Sequence, residues 1–284
     1  MISGDTVLDQ IRIAGIEDGL LDKFQGLLDS LARLGSAVVA YSGGVDSSFL
    51  SYAASLALGD QMVAVTLNTT LEAGETVEFA TSFARQAGFK HVIVTYDALQ
   101  NAGIRANPAD RCYHCKTVML GLVRKYAAEH GYTAVLEGQN ADDEQDYRPG
   151  RKAVAENGAL SPLAQAGFTK PEIRKLAHAL GLPIWDRPSS PCLASRVPYG
   201  TALTPEALRQ IAQGEAFLRQ RGFSPVRVRW HIDLARIEVA PEQIARLAAI
   251  HDEINAYFKG IGFKYVSIDL QGYRQGSLNE ALGL

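Results

Sequence analysis

The sequence has few cysteines, no large excess of either charge and no long apolar run. Only three of its 284 residues are cysteines, an odd number, so a disulfide-stapled extracellular domain is not expected. The formal net charge is −3, which gives no signal for a nucleic acid or an anionic membrane as partner. No apolar run approaches the roughly 20 residues that span a bilayer. With an acidic first stretch that lacks a signal-peptide pattern, these absences predict a cytoplasmic protein.

Short apolar runs alternate with helical patterns over the first half of the sequence. Strands are predicted at "AVVAYS", "QMVAVTLNT", "KHVIVTYD" and "TAVLEG", and apolar residues recur at helical spacing in the segments between them. Continuous apolar runs are typical of strands that are buried on both faces of a parallel sheet. The alternation therefore predicts an α/β fold with a doubly wound parallel sheet.

The pattern changes after a proline-rich segment, "DRPSSPCLASRVPYG", which is predicted to be a loop. The residues that follow it are predicted to form a helix, two strands, a helix and a strand. This order is typical of a small α+β domain. We therefore predict two domains, residues 1–196 and residues 197–284.

The string "SGGVDSS" lies between the first predicted strand and the helix that follows it. A helix N-terminus presents unpaired N–H groups, and Gly43 and Gly44 would let a phosphate approach the backbone. Ser42 and Ser47 add hydroxyl donors, and Asp46 is placed to hold a magnesium ion on the phosphates. The lysine of a Walker A loop is absent, and the spacing does not fit a dinucleotide fingerprint. A turn that only needs glycines and a serine cap is the alternative.

The whole string resembles the PP-loop of ATP pyrophosphatases, which cleave ATP between its α- and β-phosphates. The resemblance implies that substrate is adenylated and pyrophosphate released, so that a carboxylate oxygen leaves as AMP. It also implies that ATP and magnesium are bound by six consecutive residues: Ser42, Gly43, Gly44, Val45, Asp46 and Ser47.

Further blocks resemble the LarE family of ATP-dependent sulfur transferases, over about residues 20 to 270. These blocks are residues 137–153, residues 161–200, "PVRVRW" and "NPADRCYHCK". The resemblance implies conversion of the carboxylates of pyridinium-3,5-biscarboxylic acid mononucleotide into thiocarboxylates, a step of nickel-pincer cofactor biosynthesis. It also implies a homo-oligomer, for instance a hexamer.

Carried over by residue, the resemblance assigns roles around one cysteine and one strand. Cys192, in "PCLASR", matches the cysteine that donates its own sulfur in single-cysteine members of the family. Arg227 and Arg229 match a pair that binds the phosphate of the mononucleotide, and their spacing puts both on one strand face. The alternative for this pair is a set of exposed arginines without a ligand. Four further residues are expected to contact substrate: Ser195, Arg196, Glu215 and Glu238.

Cys112 and Cys115 have no place in the single-cysteine pattern. With Cys192 they resemble the cluster-containing LarE members and the tRNA thiolases, which implies a 4Fe–4S cluster held by three cysteines. The open iron would carry sulfide, taken from sulfide itself or another sulfur donor, to the adenylated carbon. The alternatives are a sacrificial Cys192, a zinc site that includes His114, a persulfide or redox relay, and plain buried cysteines.

Two other classes of protein compete with this interpretation. A tRNA thiolase needs a basic surface because phosphate contacts dominate RNA affinity, and the chain is net acidic. An ATP sensor or an iron–sulfur carrier would need neither the magnesium aspartate nor the arginine pair. The sequence therefore favours a small-molecule substrate, with no nucleic acid and no membrane as partner.

Overall fold

The computed structural model describes residues 4–72, 74–144, 150–188, 191–274 and 277–278. Parts of two family-like blocks, residues 145–149 and 189–190, lie outside these ranges. The chain divides into a first unit, formed by Met1–Thr69, Gly74–Tyr96 and Cys112–Ser190, and a second unit, formed by Thr70–Ala73, Asp97–Arg111 and Pro191–Leu284. The second unit thus includes three short segments from the first 196 residues, namely 70–73, 97–111 and 191–196, and the domain boundary at 196/197 stays a prediction.

The helices and strands of the described residues are numbered in chain order. The α-helices are α1 (Gly4–Ile13), α2 (Asp18–Ala32), α3 (Val45–Leu58), α4 (Gly74–Ala87), α5 (Ala102–Arg105), α6 (Arg111–Glu129), α7 (Gly150–Glu156), α8 (Pro162–Gln165), α9 (Lys170–Ala179), α10 (Pro205–Gln220), α11 (Ile244–Ala249) and α12 (His251–Gly260). The strands are β1 (Ala37–Ala40), β2 (Met62–Asn68), β3 (His91–Thr95), β4 (Ala134–Leu136), β5 (Val226–His231), β6 (Leu234–Val239) and β7 (Tyr265–Ile268). None of the described helices is both long and apolar enough to cross a lipid bilayer.

The sheet of the first unit has the strand order β3-β2-β1-β4, and every neighbouring pair is parallel. Val38 of the central strand β1 lies beside Val63 of β2 and Val135 of β4. Apolar clusters cover both faces, one that includes Phe24 and Phe49 and one that includes Val38 itself. This arrangement confirms the predicted parallel α/β fold, because strands buried on both faces must be apolar along their whole length.

Helix α2 shows how the pattern of the sequence produces this packing. Its six apolar residues at helical spacing are all buried, and the ring of Phe24 lies 5.7 Å from that of Phe49 on α3. Burying one such side chain stabilises the fold by about 1.5–3 kcal/mol. The chain turns after this helix at Gly35, which has a φ of 73° that other residues rarely adopt.

The second unit contains a mixed sheet with the order β5-β6-β7, in which β5 is antiparallel and β7 parallel to β6. Val228 and Ile237 on one face pack against Phe217 of α10 and Phe258 of α12. The two helices approach closely, since a Cβ on Gly214 would lie 2.9 Å from the ring of Phe258. The alternating residues of β5 and β6 place charged side chains on the opposite face.

Two helices differ from the sequence-based expectation. The single helix expected over "PEQIARLAAIHDEINAYFKGIG" is divided into α11 and α12, because Ile250 adopts φ −108° and ψ 29°, outside the helical region. Helix α6, expected to begin at Cys115, begins at Arg111. Cys112 and Cys115 therefore both lie within the first five residues of a helix.

Candidate active site

The glycine turn between β1 and α3 is closed by hydrogen bonds between its serines. The hydroxyls of Ser42 and Ser47 lie 3.0 Å apart, and the backbone N–H of Ser42 also donates to Ser47 Oγ at 3.2 Å. The N–H of Gly44 donates to Ser42 Oγ at 3.3 Å. These contacts fold the loop over the start of α3, where a helix carries about half a positive charge and unpaired N–H groups. The loop therefore has the polarity of an anion site.

Two glycines are required where other parts of the unit approach this loop. Gly43 has a φ of 73°, and a Cβ there would lie 3.1 Å from Ala80 Cβ and 3.2 Å from the carbonyl oxygen of Thr76. A Cβ on Gly138, which follows β4, would lie 2.9 Å from the backbone nitrogen of Ser47. Gly138 was not identified from the sequence, because its partner is a backbone atom far away along the chain.

Asp46 in the first turn of α3 has one partnered and one unpartnered carboxylate oxygen. Its Oδ2 accepts a hydrogen bond from Lys170 Nζ at 2.9 Å, whereas its Oδ1 is buried and has no partner among the described residues. A buried carboxylate oxygen without a donor is costly, and carboxylate oxygens are ligands that Mg²⁺ prefers. Asp46 therefore fits the predicted magnesium ion.

Lys170 was not singled out from the sequence, where it only marked the start of a helix. It lies 124 residues from Asp46 along the chain. The backbone of Lys170 is fixed by a capping box that Thr169 and Glu172 form at the start of α9. The N–H of Lys170 also donates to Asp142 Oδ2 at 2.7 Å. The fold thus brings an ammonium group to the carboxylate of Asp46.

Glu137, directly after β4, is a second carboxylate near the loop that the sequence did not reveal. It is 1% exposed and accepts a hydrogen bond from Lys116 Nζ at 2.8 Å. Its other oxygen accepts from the N–H of Gln139 at 3.1 Å and from the hydroxyl of Ser161. Because Lys116 lies on α6, this ion pair ties the cysteine-bearing helix to the edge of the sheet.

Cys112 and Cys115 lie three residues apart on α6, a spacing that places side chains on the same side of a helix. Cys112 is exposed, and Cys115 Sγ lies 3.7 Å from Met119 Sδ. All three cysteines of the chain are described, and none forms a disulfide. Within the described ranges, no group of three or more Cys, His, Asp or Glu side chains is arranged to hold a metal ion.

Cys192 belongs to the second unit, in what we call the Cys192 turn (residues 191–196). Its carbonyl oxygen accepts a hydrogen bond from Ser195 Oγ at 2.8 Å. Arg111, the residue before Cys112, is buried and donates to the carbonyl oxygen of Ala194 at 3.3 Å. This hydrogen bond lies within the second unit, to which Arg111 and the Cys192 turn both belong.

Arg196 holds the Cys192 turn and forms a buried ion pair with Glu215 of α10. Its Nε and Nη2 donate to the two carboxylate oxygens at 2.8 and 2.9 Å. Its Nη1 donates to the carbonyl oxygens of Pro191 and Cys192 at 2.6 and 3.0 Å. Burial opposes ionisation of Glu215, but the hydrogen bonds and charge of Arg196 outweigh it and lower the pKa of Glu215.

Arg229 and Glu238 form a second buried, bidentate pair across β5 and β6. The Nε–Oε1 and Nη2–Oε2 distances are 2.9 and 2.8 Å. Arg229 Nη1 also donates to the carbonyl oxygen of Ser195 at 2.8 Å, so the pair is linked to the Cys192 turn. Glu215 and Glu238 are thus each engaged by an arginine of the predicted substrate site.

Arg227 differs from its neighbours because no described residue forms an ion pair with it. Its Nη1 donates to the carbonyl oxygen of Val226 at 2.7 Å, and Tyr273 lies beneath its guanidinium. Burial, followed by repulsion from the Arg196 charge, lowers the pKa of Arg227. A half-buried cation without a carboxylate partner is a site where an anion would bind favourably.

A parallel sheet, a glycine turn with two linked serines, and an aspartate at the helix start define a PP-loop ATP-binding domain. In agreement, residues 30–182 match the asparagine synthase family model. The chain is 39% identical to the pyridinium-3,5-bisthiocarboxylic acid mononucleotide synthase of Lactiplantibacillus plantarum, over 93% of this chain and 96% of the relative. It is 40% identical to an uncharacterized protein of Synechocystis sp., over 93% of this chain and 99% of the relative. One of the chains of a glutamine-hydrolyzing GMP synthase, from Pyrococcus abyssi, is 26% identical over 86% of this chain and 80% of the relative.

The chain belongs to the LarE family of ATP-dependent sulfur transferases. This membership confirms the resemblance identified in the sequence, and it makes the protein an enzyme that uses ATP. The roles of individual residues stay predictions.

Proposed function

We propose that the enzyme uses ATP to convert the carboxylates of pyridinium-3,5-biscarboxylic acid mononucleotide into thiocarboxylates, for nickel-pincer cofactor biosynthesis. The observation that carries this proposal is the 39% identity, over nearly the whole of both chains, to a synthase named for the bisthiocarboxylic product. A carboxylate oxygen would attack the α-phosphorus of ATP, and pyrophosphate would leave. A sulfur nucleophile would then attack the adenylated carbon, and AMP would leave with the bonding electron pair.

We assign ATP binding to the loop between β1 and α3, where Gly43 and Gly44 keep the backbone open to phosphates. Ser42, Ser47 and the first N–H groups of α3, those of Val45, Asp46 and Ser47, are the donors that we assign to the phosphates. The unpartnered Asp46 Oδ1 supports a magnesium ion at this point, which would neutralise phosphate charge.

For the mononucleotide, we propose that Arg227 and Arg229 bind the phosphate. Arg227 supports this role because it lacks an ion-pair partner among the described residues. Ser195 and Arg196 would shape the site through the Cys192 turn, to which both belong. Glu215 and Glu238 would act by holding arginines, since each carboxylate is occupied on both oxygens by a guanidinium: Arg196 for Glu215 and Arg229 for Glu238.

We propose that the sulfur is carried by a 4Fe–4S cluster on Cys112, Cys115 and Cys192, whose open iron would bind an extra sulfide. The same-side spacing of Cys112 and Cys115 on α6 supports this. The described residues do not form a preformed metal site, so the iron content of the purified protein must distinguish a cluster from a sacrificial cysteine. Protein purified without oxygen should hold about four irons per chain, lost on changing any of the three cysteines to alanine. Iron-free protein that still thiolates one substrate per chain, and loses the Cys192 sulfur, would establish the sacrificial alternative.

The proposed reaction is tested by pyrophosphate release with magnesium, ATP and the biscarboxylic mononucleotide. We expect release that requires the mononucleotide and that is abolished by Asp46→Asn. The double variant Arg227→Ala/Arg229→Ala should weaken mononucleotide binding and spare ATP binding. Pyrophosphate release that is independent of the mononucleotide but is stimulated by tRNA would overturn the substrate assignment in favour of a tRNA thiolase. We also propose a homo-oligomeric state, such as a hexamer, and a cytoplasmic location.

A further inference from the structure

The chain that follows β7 is attached along β6, next to the charged face of the second sheet. The N–H of Asp269 donates to the carbonyl oxygen of Ile237 at 2.9 Å, and the N–H of Tyr273 donates to that of Val239 at 2.7 Å. Between these contacts, Gly272 has a φ of 71°, and a Cβ there would lie only 2.7 Å from the carbonyl oxygen of Val239. We call residues 269–274 and 277–278 the C-terminal strap. Its backbone is held by the strand that carries Glu238.

Two side chains of the C-terminal strap contact the two arginines of the proposed phosphate site. The ring centroid of Tyr273 lies 5.2 Å from Cζ of Arg227, and Ser277 Oγ accepts a hydrogen bond from Arg229 Nη2 at 2.7 Å. These contacts come from residues that are 46 and 48 positions away from their arginines along the chain, so no local sequence pattern reveals them.

The donors of the two arginines are used very differently. A guanidinium carries five N–H groups. Within the described part of the chain, Arg229 gives four of them to Glu238, Ser277 and the carbonyl of Ser195. Arg227 gives only one, to its neighbouring carbonyl. Arg227 therefore retains most of the donors that a phosphate could accept, and Arg229 retains a single one.

The contact with Tyr273 restrains Arg227 without using its donors. An aromatic ring attracts a guanidinium through the electrons of its face, whereas the N–H groups of the cation point outward in its own plane. A ring beneath Arg227 thus limits where the cation can move and leaves its N–H groups available. Ser277 restrains Arg229 in a corresponding way, because its hydroxyl accepts a hydrogen bond from Nη2. The one donor of Arg229 that remains is on the other terminal nitrogen, Nη1.

We propose that Tyr273 and Ser277 are positioning residues for substrate, which orient Arg227 and Arg229 toward the phosphate of one mononucleotide. This inference rests on the proposed function of the arginine pair. It assigns to the C-terminal strap a part in recognising the phosphate, and none in binding ATP or in the chemistry of sulfur transfer.

The test compares Ser277→Ala, Tyr273→Leu and Tyr273→Phe in the full-length enzyme. We expect the first two to raise the Kd and KM for the biscarboxylic mononucleotide about tenfold. Ser277→Ala removes an acceptor that restrains Arg229, and Tyr273→Leu removes the ring that restrains Arg227. Tyr273→Phe keeps the aromatic face and should stay within about twofold of the wild type. The KM for ATP and kcat at saturating mononucleotide should change little in all three, a split that general unfolding would not produce.

Matched controls are Tyr265→Leu, an exposed tyrosine on β7, and Ser82→Ala, an exposed serine on α4; neither should change the Kd. If Arg227→Ala weakens mononucleotide binding while Ser277→Ala and Tyr273→Leu bind like the wild type, the positioning role is refuted and the phosphate site stands. If Arg227→Ala and Arg229→Ala also bind like the wild type, the phosphate site itself is wrong, and the positioning role with it.

Discussion

The buried ion pair between Arg196 and Glu215 should contribute strongly to the stability of the second unit. The two side chains are 3% and 2% exposed, and both carboxylate oxygens accept guanidinium N–H groups. Replacing Glu215 by glutamine keeps the shape but leaves the Arg196 charge without its buried counter-charge. Removing one member of such a pair typically destabilises a protein by about 3–5 kcal/mol. We expect Glu215→Gln to lower the free energy of unfolding by that amount.

Glu206 on the same helix provides the control. It lies 4.0 Å from Arg209, and the two side chains are 69% and 62% exposed. Exposed pairs of this kind contribute about 0–1 kcal/mol, so Glu206→Gln should change stability little. Urea unfolding of both variants, followed by circular dichroism, measures the difference. If Glu215→Gln is no more destabilising than Glu206→Gln, the buried pair does not hold the unit together as inferred.

The same substitution should loosen the Cys192 turn, because Arg196 Nη1 donates to the carbonyl oxygens of Pro191 and Cys192. Site-resolved alkylation should therefore be faster at Cys192 in Glu215→Gln, with Cys112 as the internal reference. The pH dependence has a definite sign. The folded-state pKa of Glu215 lies below its ordinary value of 4.5, so its stabilisation is present above pH 4.5 and is lost as the pH falls through the lowered pKa.

Three other substitutions test separate parts of the molecule. Gly43→Ala should impair ATP binding, because its Cβ would meet Ala80 and Thr76. Gly15→Ala, with a similar φ of 72° but open space around it, should only lower the free energy of unfolding by about 1–2 kcal/mol, the cost of a left-handed backbone. ATP titrations of both variants measure the difference. Lys116→Met should lower the free energy of unfolding by about 3 kcal/mol, because its carboxylate partner is buried, whereas Lys125→Met on the same helix should have little effect in the same urea assay. Burial raises the pKa of Glu72 to about 7, so its stabilisation is full below pH 4.5 and is lost as the pH rises through 7; Glu72→Gln should flatten the pH profile of urea unfolding over this window.

The ATP loop could be predicted from sequence because all of its parts lie in one short string. A strand, two glycines, a serine pair and an aspartate at a helix start each have a local signature, and the structure places them as expected. The parallel sheet was predictable for a similar reason, since each strand is a continuous apolar run that must be covered on both faces.

Lys170, Glu137 and the C-terminal strap could not be found in this way. Lys170 meets Asp46 across 124 positions of the chain, and Ser277 meets Arg229 across 48. In the sequence Lys170, Glu137 and Ser277 are ordinary polar residues without a local motif. Their roles depend on which chain segments the fold brings together, and that pairing has no local periodicity. The division between α11 and α12 was missed for a different reason, since Ile250 continues the helical pattern of side chains and only its backbone departs.

The charges of the described residues indicate what each unit still needs. In the second unit, Glu215 and Glu238 each form an ion pair with one buried arginine, Arg196 and Arg229, whereas Arg227 has no carboxylate within ion-pair distance among the described residues and feels only the more distant charge of Glu215. In the first unit, Lys170 compensates one oxygen of Asp46 and leaves the other buried without a partner. One unit thus retains a cation that requires an anion, and the other a carboxylate oxygen that requires a cation. A phosphate-bearing substrate and a magnesium ion on ATP would supply the missing charges, because uncompensated buried charge is costly until a ligand of opposite sign binds.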